Sequence, residues 1–180
     1  MKFFNKLKRY YIDHIRPSHE KKVNYLRDKG AVIGEGTRLN CTTTAFGSEP
    51  YLIKVGQNCL FAANINLITH DGAIKVLNSL NRFEGKMMDK IGSITIGDNV
   101  YIGMGAYIMP NTIIGNDCII GAGAIVKGNI PEKSVVVGIP GRVVCSIDDY
   151  YERCKDKLEW LDGMSVEEKK KYLIQKYRGQ

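Results

Sequence analysis

Three histidines occur in the chain, at positions 14, 19 and 70. His14 and His19 fall in a basic N-terminal segment, whereas His70 stands where a periodic region breaks off into a long stretch without period. An imidazole titrates near neutrality, so it can take a proton from a hydroxyl and hand it to a leaving group. The bland alternative is a corner histidine that makes one structural hydrogen bond. In a regular strand neighbouring side chains point apart, so Asp71 can orient His70 only if the chain turns there, and Gly72 makes a turn plausible. Lys127 and Arg142 are cations farther along the chain, and the bland reading of each is an ordinary exposed charge. A three-histidine zinc centre cannot be built from a single repeat-region histidine, so the expectation is that no metal is required.

The element that must position these groups runs from Ile96 to Pro131. Read in sixes, its first position is Ile96, Ile102, Ile108, Ile114, Ile120 and Val126, and glycine follows at 97, 103, 115 and 121. The fifth position is Val100, Ala106, Thr112, Cys118, Ala124 and Ile130, mostly small. Such a period fits neither a helix face nor simple strand alternation. It fits a short strand and a tight corner repeated, with the aliphatic inward and the glycine letting the backbone turn. The pattern begins at Ile33-Gly34-Glu35-Gly36-Thr37, runs through Leu39 to about Phe46, is interrupted at 47–51, and resumes at Val55, Phe61 and Leu67. The phase is then lost over 71–92. A long excursion from a solenoid is costly to order and is usually functional.

Ile-Gly-Asp-Asn-Val, Ile-Gly-Ala-Gly-Ala and the closing Val-Val-Gly-Ile-Pro-Gly-Arg-Val-Val of residues 136–144 resemble the hexapeptide-repeat acyltransferases, over roughly Ala31 to Cys145. The resemblance implies an all-β solenoid, a left-handed parallel β-helix of about five coils with three hexapeptides to a coil. The hand comes from the resemblance alone, because parallel crossovers are otherwise right-handed. Phe61-Ala-Ala-Asn-Ile-Asn-Leu-Ile-Thr-His-Asp-Gly72 is similar to the strand and loop carrying the catalytic histidine in bacterial sugar O-acetyltransferases, closest to those acting on capsular or lipopolysaccharide sugars.

That resemblance implies an acetyl-CoA-dependent O-acetyltransferase acting on a sugar of a surface polysaccharide or its precursor. His70 is then the general base for a direct transfer, a backbone N–H stabilises the oxyanion, and His70 protonates the departing CoA thiolate. Asp71 either orients the imidazole or accepts a sugar hydroxyl, and Asn64 resembles a substrate-site asparagine. Acetyl-CoA would run along the last coils past Met104, Ala122 and Lys127, with Arg142 on its phosphate. Where relatives place a serine this chain has Met104, and Lys127-Gly128 replaces a hydroxyl residue followed by lysine. Relatives bind CoA between subunits, which implies a homotrimer. Alternatives are an N-acetyltransferase on an amino sugar or antibiotic, and a non-catalytic β-helix scaffold. A γ-class carbonic anhydrase is excluded by the histidine count.

Five cysteines (41, 59, 118, 145 and 154) form no C-x-x-C pair, and with no secretory signal at the N-terminus they point to a reducing cytoplasm. No stretch approaches transmembrane length. The formal net charge is +7. Residues 1–30 carry nine Lys/Arg against Asp13, Glu20 and Asp28, which accounts for +6 of it. Phe4, Leu7, Tyr11 and Ile15 share one helical face there, fitting either the base of the solenoid or an anionic membrane surface. Arg16-Pro17-Ser18 breaks that helix, and a second, from about His19 to Lys29, ends at Gly30. No recognition helix or aromatic platform for nucleic acid is present. Beyond Cys145 the spacing of Ile147, Tyr151, Cys154, Leu158 and Leu161 predicts one amphipathic helix stopped by Gly163. Ser165-Val-Glu-Glu168 predicts a capping box opening a last helix. The expected organisation is therefore 1–30 basic helices, 31–145 β-helix with the 71–92 loop, and 146–180 helices covering the open end.

Overall fold

The computed structural model describes residues 2–15 and 18–178, with side chains from residue 6 onward. The break expected at Arg16-Pro17 and the side chain of Phe4 lie outside the described residues. Among the described residues thirteen short strands lie parallel in three sheets, and a fourteenth closes the stack antiparallel. One sheet runs β1 (Val32–Ile33), β3 (Ile53–Val55), β6 (Ile94–Ile96), β9 (Thr112–Ile114), β12 (Asn129–Ile130). The second runs β2 (Arg38–Leu39), β4 (Leu60–Phe61), β7 (Tyr101–Ile102), β10 (Ile119–Ile120), β13 (Ser134–Val137), β14 (Arg142–Ser146). The third is β5 (Asn66–Leu67), β8 (Tyr107–Ile108), β11 (Ile125–Val126). From β3 to β13 consecutive strands visit the sheets in turn, which makes a coil of three sides and three corners, whereas the first coil has 3₁₀ turns at Thr43–Phe46 and Pro50–Leu52 between β2 and β3.

Both repeat phases point inward. Ile96, Ile102, Ile108, Ile114, Ile120 and Val126 are at most 1% exposed, and Val100, Ala106, Thr112, Cys118 and Ala124 share the same core. One large and one small inward residue per side fill a narrow interior at organic-crystal density. Cys41, Cys59 and Cys118 are buried thiols within it.

The second-position glycines serve a different purpose from the turning role expected of them. The left-handed backbone is carried two residues later, at Asn99 (φ 54°), Gly105 (φ 69°), Asp117 (φ 56°) and Gly123 (φ 69°). Gly97 instead lies under the next coil, where a Cβ would stand 2.9 Å from the Gly115 carbonyl carbon and against the Asn116 side chain. Asparagine and aspartate tolerate the left-handed corner, but only hydrogen fits beneath the coil above.

The N-terminal segment is α1 (Lys2–Tyr10), a π-turn over Tyr11–Ile15, and α2 (His19–Asp28) with Gly30 at φ 92° just beyond it. Side chains of α2 satisfy the open edge of the first coil. The Lys22 ammonium, itself buried, donates to the Leu39 and Cys41 carbonyls at 3.2 and 2.7 Å, and the Arg27 Nε–H donates to the Ile33 carbonyl at 3.0 Å. Unpaired strand edges are thereby occupied.

The chain divides into two compact units, residues 1–150 and 151–180. The helix α4 (Ile147–Cys154) is shorter than the stripe predicted. It opens with a reciprocal Ser146–Asp149 cap, passes into a 3₁₀ turn at Lys155–Lys157, and Leu158 is already extended. In the second unit the Ser165–Glu168 capping box opens α5 (Val166–Arg178), with Ser165 N–H on Glu168 at 2.8 Å and the return bond at 3.2 Å. Glu159 gathers Lys176, Tyr172 and Tyr177 around its carboxylate, which holds its pKa down to about 2.

Candidate active site

His70 follows β5 at the corner between the third sheet and the first. There the 71–92 segment leaves the coil and returns to it, and its two feet are stitched together. Asp71 N–H donates to Lys90 O and Gly92 N–H to Thr69 O, each at 2.8 Å, with His70 and Ile91 bridged antiparallel. The segment is ordered in itself. It contains α3 (Ile74–Ser79), and Asn78 clasps the Met88 backbone with both ends of its amide, at 2.8 and 3.0 Å. The pinned feet fix the outlet of the loop to the imidazole.

The partner of that imidazole is Glu49, from the interruption at 47–51. Ile33 pairs with Val55 and Leu39 with Phe61, so residues of the first two coils stand 22 apart, and the interruption lies directly beneath residues 69–72. Glu49 Oε2 sits 2.9 Å from His70 Nδ1 and 2.5 Å from the hydroxyl of Thr69, which is 1% exposed. The Thr69 hydrogen bond, with further bonds from Ser48 and His70, outweighs the opposing effect of burial and brings the Glu49 pKa from 4.5 to about 2. An ionised carboxylate only accepts, so Nδ1 must carry the proton facing it, and the remaining lone pair of the ring is on Nε2. A carboxylate behind Nδ1 fixes tautomer and ring orientation, the arrangement that makes a histidine a general base.

Asp71 does not fill the orienting role expected of it. Its carboxylate takes Lys90 Nζ at 2.7 Å and caps the Ala73 N–H at 3.0 Å, and these bonds lower its pKa. The turn at Gly72 does form, but it sends Asp71 to the foot of the loop.

His70 separates two cavities. One, about 420 Å³, has Ser48, Glu49, Asn78 and Asp89 on its walls beside Ile74 and Met87. The other, about 270 Å³, is lined by Ile68, Met109, Pro110, Asn111 and Lys127, and the two cavities share Asp71, Lys90 and Ile91. The half-exposed ring faces both.

The remaining candidates do not gather here. Asn64, Met104 and Ala122 stack on the corner between the second and third sheets, one side of the prism away. Gly105 N–H bonds to Ala63 O at 3.1 Å and Gly123 N–H to Met104 O at 2.8 Å, so successive coils are in register along that edge. Asn64 adopts φ 60° as the corner residue of its coil. Arg142 begins β14, exposed, with its Nη1 donating to the Gly141 carbonyl at 3.0 Å. Among the described residues no cluster of three His, Cys, Asp or Glu is placed to hold a metal ion. No described helix is long and apolar enough to cross a membrane.

Comparison with known proteins agrees with this architecture. The family model for the bacterial transferase hexapeptide, six repeats, matches residues 93–128. Over 154 residues the chain is 31% identical to Protein CapG of Staphylococcus aureus, covering 85% of this chain and 87% of that one. It is 29% identical over 177 residues to the galactoside O-acetyltransferase of Escherichia coli K12, covering 88% and 82% respectively. The crystal structure of a maltose O-acetyltransferase from Clostridium difficile 630 matches with a TM-score of 0.56 at 27% identity, over 81% of this chain and 84% of that one. The coil is thus the left-handed parallel β-helix built by such proteins. With its six in-phase repeats, its corner histidine and relatives matched over most of their length, the chain belongs to the hexapeptide-repeat transferase family.

Proposed function

We propose that the protein is an acetyl-CoA-dependent O-acetyltransferase acting on a hydroxyl of a sugar in a surface polysaccharide or its precursor, in the cytoplasm. The observation that carries the reading is the Glu49–His70 contact of 2.9 Å, which leaves Nε2 as the basic nitrogen of a ring that borders two cavities. The cavity with Ser48, Asn78 and Asp89 on its walls offers hydrogen-bonding groups to a polyhydroxylated acceptor. The other, with Ile68, Met109, Pro110 and Lys127 on its walls, suits an acyl thioester. His70 Nε2 takes the hydroxyl proton, and the freed oxygen bonds to the thioester carbonyl carbon. As the carbon–sulfur bond breaks, the imidazolium returns its proton to the thiolate, so ester and free thiol are the products. The names of the galactoside and maltose acetyltransferases support the reaction class.

The site also needs a second subunit. Asn64, Met104 and Ala122 stand on a different corner from His70 and Lys127, so one cleft takes both groups only where corners of two chains meet. A closed ring of three copies meets that requirement with equivalent sites. Arg142, at the closing strand, is assigned to CoA phosphate. The test is thiol release from acetyl-CoA by purified protein across a panel of sugars and amino sugars, with mass analysis of the product. His70→Ala should lower kcat by about 10² to 10⁴ with the fold intact. Retention of more than half the activity, or acetyl found on nitrogen alone, would overturn the assignment.

A further inference from the structure

The N-terminal segment has two faces that the proposed chemistry does not use together. The inner one is fastened to the coil, because Ile12 and Asp13 are buried and Asp13 accepts from the Thr43 N–H and hydroxyl, each at 2.8 Å. The outer one presents Leu7, Tyr10, Tyr11 and Ile15, exposed by 56, 56, 43 and 57%. Each step along a helix turns about 100°, so Lys6 and Lys8 flank Leu7 on either side, with Lys8 Nζ 3.9 Å from the exposed Asp28 carboxylate. A concavity of about 460 Å³ beside the stripe is lined by Lys6, Arg9, His14 and Asp13 together with the hydroxyl residues Thr42 and Thr44. An apolar strip bordered by cations and hydroxyls, on a helix whose opposite side is tied down, has the layout of a helix that lies in a bilayer interface.

We propose that this face docks on the surface of a membrane containing anionic phospholipid. Leu7, Tyr11 and Ile15 enter the acyl boundary, and Lys6 and Lys8, exposed on either side of Leu7, meet the lipid phosphates. A second copy of the chain is the competing occupant. Charge decides between them, since exposed Lys6 and Lys8 flank the strip in a segment, residues 1–30, whose formal charge is +6. Two such faces repel one another, whereas an anionic surface is complementary.

Flotation of the full chain with lipid vesicles tests the proposal. Vesicles containing roughly one third phosphatidylglycerol should bind it, with phosphatidylcholine alone binding at least about tenfold less and added salt weakening the interaction. Lys6→Glu with Lys8→Glu, and separately Leu7→Asp with Ile15→Asp, should each reduce binding by about tenfold or more while melting temperature holds. Three results would overturn it. One is equal binding to both vesicle types, or none. Another is displacement by inorganic phosphate at a concentration where chloride of matched ionic strength has no effect, which marks a soluble-phosphate pocket. The third is a fall in particle mass by light scattering for the Leu7→Asp, Ile15→Asp variant, which marks a contact between copies.

Discussion

Glu49 and His70 meet from adjacent coils, with carboxylate Oε2 2.9 Å from imidazole Nδ1. Neither residue is close to the other in sequence. They meet because an interruption in the first coil and the departure of the loop from the second occupy the same corner, one above the other.

Replacing Glu49 by Gln should therefore behave as a loss of tautomer control. The amide can offer an N–H to Nδ1 and stabilise the wrong ring form, so kcat should fall by about 10² or more while KM for acetyl-CoA changes little. Steady-state kinetics with circular dichroism of the folded variant measures this. A kcat within threefold of wild type would leave Glu49 a structural residue.

The same carboxylate sets a pH dependence of stability. Its folded pKa of about 2 lies below the ordinary 4.5, so the native state binds this proton less readily than the unfolded chain. The stabilisation is complete above about pH 4.5 and is lost as pH falls toward about 2. Melting temperatures of wild type and Glu49→Gln should differ by a constant amount above about pH 5.5 and converge toward pH 2.5. A gap that widens on acidification would contradict the assignment.

A pair of glycines tests the packing account. Gly97 has no room for a methyl group under the coil above, whereas a Cβ added at Gly72, beside the catalytic candidate, would meet nothing within 4 Å and no left-handed φ. Gly97→Ala should cost about 1–3 kcal/mol, as overpacking does in other cores. Gly72→Ala should leave the melting temperature near that of wild type. Urea unfolding of both variants gives the comparison, and equal stability of the two would refute it.

Much of this was legible in the residues. Ile96 to Val126 announce the coil because burial repeats with every side, and His70 announces itself by standing where the period ends. Glu49 was not legible as a partner. It sits in a stretch with no period, and its role depends on a vertical neighbour about one coil away, a pitch that emerges only when the Ile33–Val55 and Leu39–Phe61 pairs are aligned. Asp71 misled for the opposite reason. Adjacency in sequence suggested contact with the imidazole, but the turn at Gly72 gives its carboxylate to Lys90 and to the Ala73 N–H. The glycines at 97, 103, 115 and 121 were visible, yet their reason was not, because the atoms that exclude a side chain belong to the next coil.

The last prediction concerns the shared cleft. His70 and Lys127 border one cavity, while Asn64, Met104 and Ala122 lie along another corner of the same prism. If both groups serve one reaction, the second corner must come from a neighbouring chain. Subunits carrying His70→Ala would then be deficient at one edge and subunits carrying Ala122→Asp, a bulky charge on the opposing corner, deficient at the other. Each homo-oligomer should be nearly inactive. After dissociation and reassembly in equal amounts, some interfaces would join an intact His70 corner to an intact Ala122 corner, and activity should return to about one quarter of wild type, the share of interfaces with both intact edges under random mixing. Native mass spectrometry would verify the mixed assemblies. If they form and activity stays at background, each site is contained within one chain and the shared-cleft arrangement fails.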